Sequence, residues 1–229
     1  MNQVTDDQIL RMRRYSTAIV TDGLKRLGLR DAWAKGIRPV PPNAPVFAGR
    51  AVVLTYAPKG KAPAVSLPGQ FTIINQSRPG DVLVYAACGV DAWLVGDNVV
   101  NLAMHRKLGA VVVDGGVRDV QDLRKLDFPT YAKTVSASPY SLEVQLVSID
   151  TPATIAGATV APGDLVVGDA DGVVVVPAAA VEELLFEIEH LAEVDAELGR
   201  LVVADAPLAE LERVAAQKGQ RRPRTEPAK

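Results

Sequence analysis

Residues 94–119 read Leu-Val-Gly-Asp-Asn-Val-Val-Asn-Leu-Ala-Met-His-Arg-Lys-Leu-Gly-Ala-Val-Val-Val-Asp-Gly-Gly-Val-Arg-Asp, and this stretch decides the fold class. Val99, Val100, Leu102, Ala103 and Leu108 are spaced as one apolar face of a helix that begins after Gly96-Asp97 and stops at Gly109. Glycine is the usual residue just beyond a helix C-terminus. Val111, Val112 and Val113 follow as an unbroken apolar run, which fits a short strand covered on both faces. Asp114-Gly115-Gly116 then predicts a sharp turn, and Val117-Arg118-Asp119 leads into a second helix through Val120, Leu123 and Leu126. Helix, buried strand and helix in immediate succession predict an α/β protein. In such layers ligands collect outside the carboxyl ends of strands, where loops and helix N-termini meet, so Arg118 and Asp119 stand where a site is expected.

The residue types at that corner suit an anionic ligand. The backbone N–H groups of Asn98 and Val99, in the first turn of a helix, offer donors to an anionic oxygen. Arg118 offers a planar, bidentate grip on a carboxylate. Asp119 offers a carboxylate to a hard divalent cation; magnesium often takes only one or two protein carboxylates and fills its other positions with water and substrate oxygens. The plainer alternative makes Asp97 and Asp119 helix N-caps and Arg118 a surface ion-pair partner. The combination favours a site: Gly-Gly stands before Arg-Asp, and a Gly-Asp pair lies upstream, with Asp97 21 positions before Arg118.

With 229 residues, 48% of them hydrophobic, and a formal net charge of -2, the chain is expected to fold as one soluble domain. That charge gives no reason to expect nucleic acid, and 5% aromatic residues give few platforms for stacking bases. The single cysteine, Cys88, forbids an intrachain disulfide and a cysteine-based metal site within one chain. Its small neighbours Ala86, Ala87 and Gly89 supply no base, which predicts a buried structural thiol. Met1 to Asp7 is polar and precedes no apolar run of signal-peptide or membrane-spanning length, so a cytoplasmic location with no membrane partner is expected.

Along the rest of the chain, Thr5-Asp6-Asp7-Gln8 has capping character, and Ile9 to Leu27 holds helical spacing with a break near Arg14 to Thr17 and a fresh cap predicted at Thr21-Asp22-Gly23. Four prolines between residues 36 and 48 predict an extended connection. Strands are expected at Arg50 to Tyr56, Val82 to Ala86, Phe128 to Ala132 and Leu142 to Ile149, and Phe71 to Asn75 reads as a short apolar piece. The loop from Ala57 to Gly69 carries Lys59 and Lys61, which can lean over an anion. Pro79-Gly80-Asp81 and Pro162-Gly163-Asp164 read as one turn-into-strand device used twice, and Asp171-Gly172 between two valine runs predicts a hairpin. A long amphipathic helix runs from Ala178, acidic on its outer face, and a second helix is expected over Ala206 to Lys218. His105 and His190 lack the spacing of a ligand pair.

Gly96-Asp97, Gly109, Val113-Asp114-Gly115-Gly116-Val117-Arg118-Asp119, Pro162-Gly163-Asp164 and the run from Gly168 to Pro177 together resemble the RraA-like superfamily. That superfamily includes the 4-hydroxy-4-methyl-2-oxoglutarate/4-carboxy-4-hydroxy-2-oxoadipate aldolases and the regulators of ribonuclease E activity. The resemblance spans about residues 16 to 205. It implies an α/β fold, a ββα sandwich of the swivelling type with N-terminal helices and a long C-terminal helix. Residues 1–219 would form one domain and 220–229 a basic, frayed tail. It also implies a homotrimer or homohexamer with active sites between subunits. In the family's aldolases the aspartate at the position of Asp119 holds Mg2+ or Mn2+, partly through water. The arginine at Arg118 and the amides at Asn98 and Val99 hold pyruvate or its enolate, and the acid at Asp97 orients or deprotonates a metal-associated water. A second acid, from the neighbouring subunit's C-terminal helix, would fall near Glu193 or Asp195.

The function this resemblance implies is that of a metal-dependent (class II) pyruvate aldolase. Such a lyase cleaves a 4-hydroxy-2-oxo acid to pyruvate by retro-aldol through a metal-stabilised enolate, and decarboxylates oxaloacetate through the same enolate. The alternative is a non-catalytic regulator of a ribonuclease, acting by protein–protein binding through the acidic face of the long helix. No glycine-rich nucleotide loop follows an early strand, so nothing in the sequence supports a methyltransferase.

Overall fold

The computed structural model describes residues 3–43, 45–61 and 66–223. In chain order these form helices α1 (Asp6–Met12), α2 (Thr17–Arg26), α3 (Gln70–Gln76), α4 (Asp97–His105), α5 (Val120–Leu123), α6 (Val181–Val203) and α7 (Leu208–Ala215). The strands are β1 (Trp33–Ala34), β2 (Arg38–Pro39), β3 (Phe47–Pro58), β4 (Val82–Val95), β5 (Ala110–Val117), β6 (Thr130–Val135), β7 (Val144–Ile149), β8 (Ala153–Ile155), β9 (Ala158–Val160), β10 (Leu165–Asp169) and β11 (Gly172–Val176).

The parallel strands β3, β4, β5 and β6 lie side by side, as the buried valine run predicted. Alternation along β4 and β5 explains why both read as continuously apolar. Leu83, Tyr85, Val111 and Val113 pack with Val100, Ala103 and Leu123 of the covering helices. Val82, Val84, Ala110 and Val112 pack inward with Val173 and Val175 of β11 and with Ile155 and Val160 of the small β8–β9 hairpin. Strand β3 is long enough to serve three neighbours, pairing with β10 through Phe47–Arg50, with β4 through Ala51–Thr55 and with β7 through Leu54–Pro58. The result is a large mixed sheet, in the order β1-β11-β10-β3-β4-β5-β6-β2, with helices on its outside.

Several local devices behave as read. Thr5 and Gln8 form a reciprocal capping box on α1. The two Pro-Gly-Asp turns are alike: Gly80 and Gly163 have φ of 86° and 83°, and each following aspartate accepts the amide three residues back, Arg78 N to Asp81 and Ala161 N to Asp164, both at 2.8 Å. The hairpin across Ala170-Asp171 pairs Leu165 with Val176 through Asp169 with Gly172. Asp169 also accepts Thr17 N and Thr17 Oγ1, both at 2.7 Å, which fastens the start of α2 to that turn.

Four expectations are corrected. Asp114-Gly115-Gly116 does not turn; β5 runs on to Val117. The glycines are needed for close approach, because a Cβ on Gly115 would stand 2.6 Å from Leu94 Cδ1 and one on Gly116 would stand 2.7 Å from the Ala92 carbonyl oxygen. Cys88 is exposed, at φ 55°, in the irregular stretch between Ala86 and Val90 where the β4–β5 register shifts. No new helix starts at Thr21; Ser16 caps α2, and Gly23 lies inside it where α6 crosses, with Ile188 Cγ2 2.5 Å from the place a Cβ would take. The strand expected from Leu142 begins only at Val144, because Tyr140–Leu142 form a short 3-10 turn, and the apolar piece Phe71 to Asn75 lies in helix α3.

At the C-terminus Leu184, Leu185, Ile188 and Leu191 of α6 pack on β10, β11 and α2. The basic run read as a frayed tail from Gln220 is docked as far as it is described: Arg221 Nε donates to Glu187 at 2.9 Å and the Arg222 guanidinium lies 4.3 Å over the Phe186 ring. Arg224 and the residues beyond it lie outside the described residues. Among the described residues no helix is long and apolar enough to cross a membrane.

Candidate functional site

The candidate site lies where β4 and β5 end. Strand β4 passes through Gly96 into α4, and β5 passes through Arg118 and Asp119 into α5. The Arg118 amide donates to the Val95 carbonyl at 3.0 Å, which ties the two exits together. Asp119 adopts a left-handed backbone, φ 59° and ψ 35°, a conformation that aspartate and asparagine tolerate better than most residues. Its side chain makes no cap on α5, so the plain N-cap reading fails there. Instead the carboxylate reaches back across the corner: Asp119 Oδ2 accepts the Asp97 amide at 3.3 Å and lies 3.3 Å from Arg118 Nε. Gly96 makes room for this, since a Cβ there would stand 2.5 Å from Asp119 Oδ2 and 3.1 Å from Arg118 Nε.

Of the residues singled out from the sequence, Arg118, Asp119 and the start of α4 converge. The two amides do not behave alike. Asp97 Oδ1 accepts the Asn98 amide at 2.7 Å, so that donor is used within the chain, whereas the Val99 amide has no partner among the described residues. A carboxylate at the first helical position sits well with the positive end of the helix dipole, which is why Asp97 folds onto its own turn. Glu193 stands 4.0 Å from His190, and Asp195 pairs with Lys218; neither reaches the corner within one chain. Lys59 donates to the Ser141 carbonyl at 2.7 Å and lines a separate cavity of about 360 Å³ with Tyr56, Gln70 and Tyr140.

One contributor went unread in the sequence. The Arg118 guanidinium carbon lies 3.8 Å from the centroid of the Trp93 ring, and Trp93 in turn meets Tyr140 edge to face at 5.8 Å. The available signal was an aromatic residue three positions before Gly96 in a chain holding two tryptophans.

The corner is open to solvent, with side chains of Arg118 and Asp119 47% and 33% exposed. Among the described residues no three His, Cys, Asp or Glu side chains gather as a metal cage. The donor set fits a hard cation held in another way: Asp119 Oδ1 has no protein partner among the described residues, and on a side chain 33% exposed that leaves one carboxylate oxygen free and the other coordination positions to water and ligand oxygens.

A mixed α/β sheet with a charged corner at the carboxyl ends of its parallel strands places the chain among the α/β proteins rather than the repeat or helical scaffolds. Within that class the chain belongs to the RraA-like family, whose model, Aldolase/RraA, matches residues 17–175. A protein of Halalkalibacterium halodurans named "Putative 4-hydroxy-4-methyl-2-oxoglutarate aldolase" is 32% identical over 188 residues, which are 81% of this chain and 83% of that protein. RraAS2 of Streptomyces coelicolor, described as an unusual member of the RNase ES inhibitor RraA protein family, superposes with a TM-score of 0.72 at 26% identity, covering 90% of this chain and 97% of its own. An uncharacterized protein from Pseudomonas syringae pv. tomato str. DC3000 shares the fold, with a TM-score of 0.80 at 23% identity over 94% of this chain and all of that one.

Proposed function

We propose that this chain is a divalent-metal-dependent lyase that cleaves a 4-hydroxy-2-oxo acid, of the 4-hydroxy-4-methyl-2-oxoglutarate type, to pyruvate. The observation that carries the reading is the meeting of Arg118 Nε and the Asp97 amide on Asp119 Oδ2, each at 3.3 Å. That arrangement leaves the Nη groups of Arg118, the Val99 amide and the second oxygen of Asp119 without partners among the described residues, at one corner of the fold. The relationship to the Halalkalibacterium halodurans protein supports it.

In the reaction the C4 hydroxyl loses its proton, the C3–C4 bond breaks to leave a carbonyl on the departing fragment, and the electron pair passes to the pyruvate enolate, which then takes a proton at C3. Arg118 holds the substrate's C1 carboxylate through its paired N–H groups and stabilises the negative charge as the enolate forms. Asp97, at the same corner, accepts and returns the proton directly or through water. Bound Mg2+ or Mn2+, with Asp119 as its protein ligand, would supply Lewis acidity to the 2-oxo group. Oxaloacetate decarboxylation needs the same enolate and is expected of the same residues. Assembly into a trimer or hexamer, with the corner closed by a neighbouring subunit, is part of this proposal.

The acidic face of α6, on which the alternative of a ribonuclease regulator depends, is largely matched by the chain's own cations. Glu182 and Glu189 face Arg11, Glu183 and Glu187 face Arg221, and Glu197 faces Arg213. This internal pairing favours the enzyme. The test is pyruvate release from 4-hydroxy-4-methyl-2-oxoglutarate and oxaloacetate with and without Mg2+ or Mn2+. Turnover lost with chelator and in Asp119→Ala supports the lyase; no turnover on either substrate with metal present overturns it.

A further inference from the structure

We infer that Trp93 is a positioning residue of this site: its indole face fixes the plane and direction of the Arg118 guanidinium so that the paired N–H edge points at the oxo-acid carboxylate. The inference rests on the lyase reading for what Arg118 grips, and on the structure for how Arg118 is held.

Arginine on a half-exposed surface has several rotamers of similar energy, and each must be given up when a ligand binds. Here two contacts remove that freedom. The guanidinium carbon sits 3.8 Å from the Trp93 ring centroid, within the range of a cation–π contact, and Nε stands 3.3 Å from Asp119 Oδ2. One contact restricts the plane and the other engages the Nε edge, which leaves the Nη groups without a protein partner among the described residues on a side chain that is 47% exposed.

The indole is itself fixed. The Trp93 amide donates to the Ser138 carbonyl at 2.8 Å, and Tyr140 packs edge-on against the ring with Tyr56 behind it at 5.9 Å. The backbone at Ala92, one residue before, lies against Gly116, where only a glycine fits. The irregular end of β4, whose register with β5 shifts on both sides of Trp93, therefore serves to bring this ring under Arg118.

The test uses the intact chain and two readouts. Binding of pyruvate in the presence of Mg2+ is followed by selectively excited tryptophan emission in Trp33→Phe, where Trp93 is the only tryptophan, and by calorimetry in Trp93→Phe and Trp93→Leu. The expected result is a change in Trp93 emission on pyruvate binding that disappears in Arg118→Ala. Affinity should weaken in the order Trp, Phe, Leu, by about five-fold for leucine, the scale of a partly exposed cation–π contact. The effect should fall on KM more than on kcat, and Phe should recover part of the loss, which a merely structural role would not produce. Should Trp93→Leu fail to fold, the Trp93→Phe shift and the emission change decide. Pyruvate bound equally by Trp93→Phe and the parent, with Trp93 emission unmoved, overturns the inference and leaves the lyase standing. No pyruvate binding by the parent chain overturns both.

Discussion

The Asp119 carboxylate accepts the backbone amide of Asp97 at 3.3 Å, so a residue just beyond the end of one parallel strand caps the helix that leaves its neighbour. Asp119→Asn preserves an acceptor for that amide and tolerance of the left-handed backbone while removing the charge. The variant is expected to melt within a few degrees of the parent yet to lose Mg2+ or Mn2+ binding in calorimetry and, with it, pyruvate release. Metal affinity equal to the parent's would show that Asp119 is only a cap.

Gly96→Ala separates the corner from the fold in another way. The backbone of Gly96, φ -129° and ψ -173°, suits any residue, so the cost is steric and local. The new methyl would press on Asp119 Oδ2 and on the Arg118 side chain at Nε and Cγ, displacing both from the contacts that hold them while leaving the backbone in place. Circular dichroism and melting should change little, whereas affinity for pyruvate should fall by about ten-fold or more, as for a displaced charge-assisted contact. A crystal structure of the variant with Arg118 and Asp119 in their original places would refute this.

How far the fold and site could be read from residues alone depended on how local each signal was. The valine run of β5, the hairpin at Asp171-Gly172, the paired Pro-Gly-Asp turns and the capping box at Thr5 are set within a few residues, and all appear as read. Gly115 and Gly116 misled because a glycine pair marks a turn as readily as a close approach, and only the neighbouring strand, with Leu94 and Ala92, decides between them. Cys88 was misjudged for the same reason: its apolar neighbours say nothing of the shift in register that exposes it. At the corner, Arg118 and Asp119 were legible as a pair, whereas Trp93 depends on the course of β4 past its irregularities and carries no mark in the sequence of what it will face.

The two glycines of β5 give a graded test of that account. A methyl on Gly115 meets the far end of the Leu94 side chain, which can rotate, whereas one on Gly116 meets the Ala92 carbonyl, part of a backbone held on both sides. Gly115→Ala is expected to destabilise by about 1 kcal/mol and Gly116→Ala by about 3 kcal/mol, the range found for overpacking. Urea unfolding measures both. The reverse order, or no loss at Gly116, would contradict the close approach.

Glu187 supplies the last prediction, far from the corner. Its carboxylate is 1% exposed and faces Arg26, itself 4% exposed, at 3.4 Å; Arg221 Nε donates to it at 2.9 Å and the Arg222 amide at 3.1 Å. Burial pushes its pKa upward, but the Arg222 amide, Arg221 and Arg26 together outweigh that and hold it below the ordinary value of 4.5. A carboxyl whose folded pKa is depressed contributes stability that is fully present above its unfolded value and lost as pH falls through the folded one. Stability should therefore be flat in this contribution near neutrality and begin to decline once the pH drops below about 4.5. Glu187→Gln keeps the shape and an acceptor for the Arg222 amide but leaves Arg26 without its counter-charge, at a cost of about 3 kcal/mol at pH 7. Unfolding free energies for parent and variant, measured in urea from pH 7 to pH 3, should converge as the pH falls, since protonation removes from the parent what the substitution has already removed. Two curves that stay parallel over that interval would mean that Glu187 is not the group whose ionisation binds α2 and the segment at Arg221 to α6.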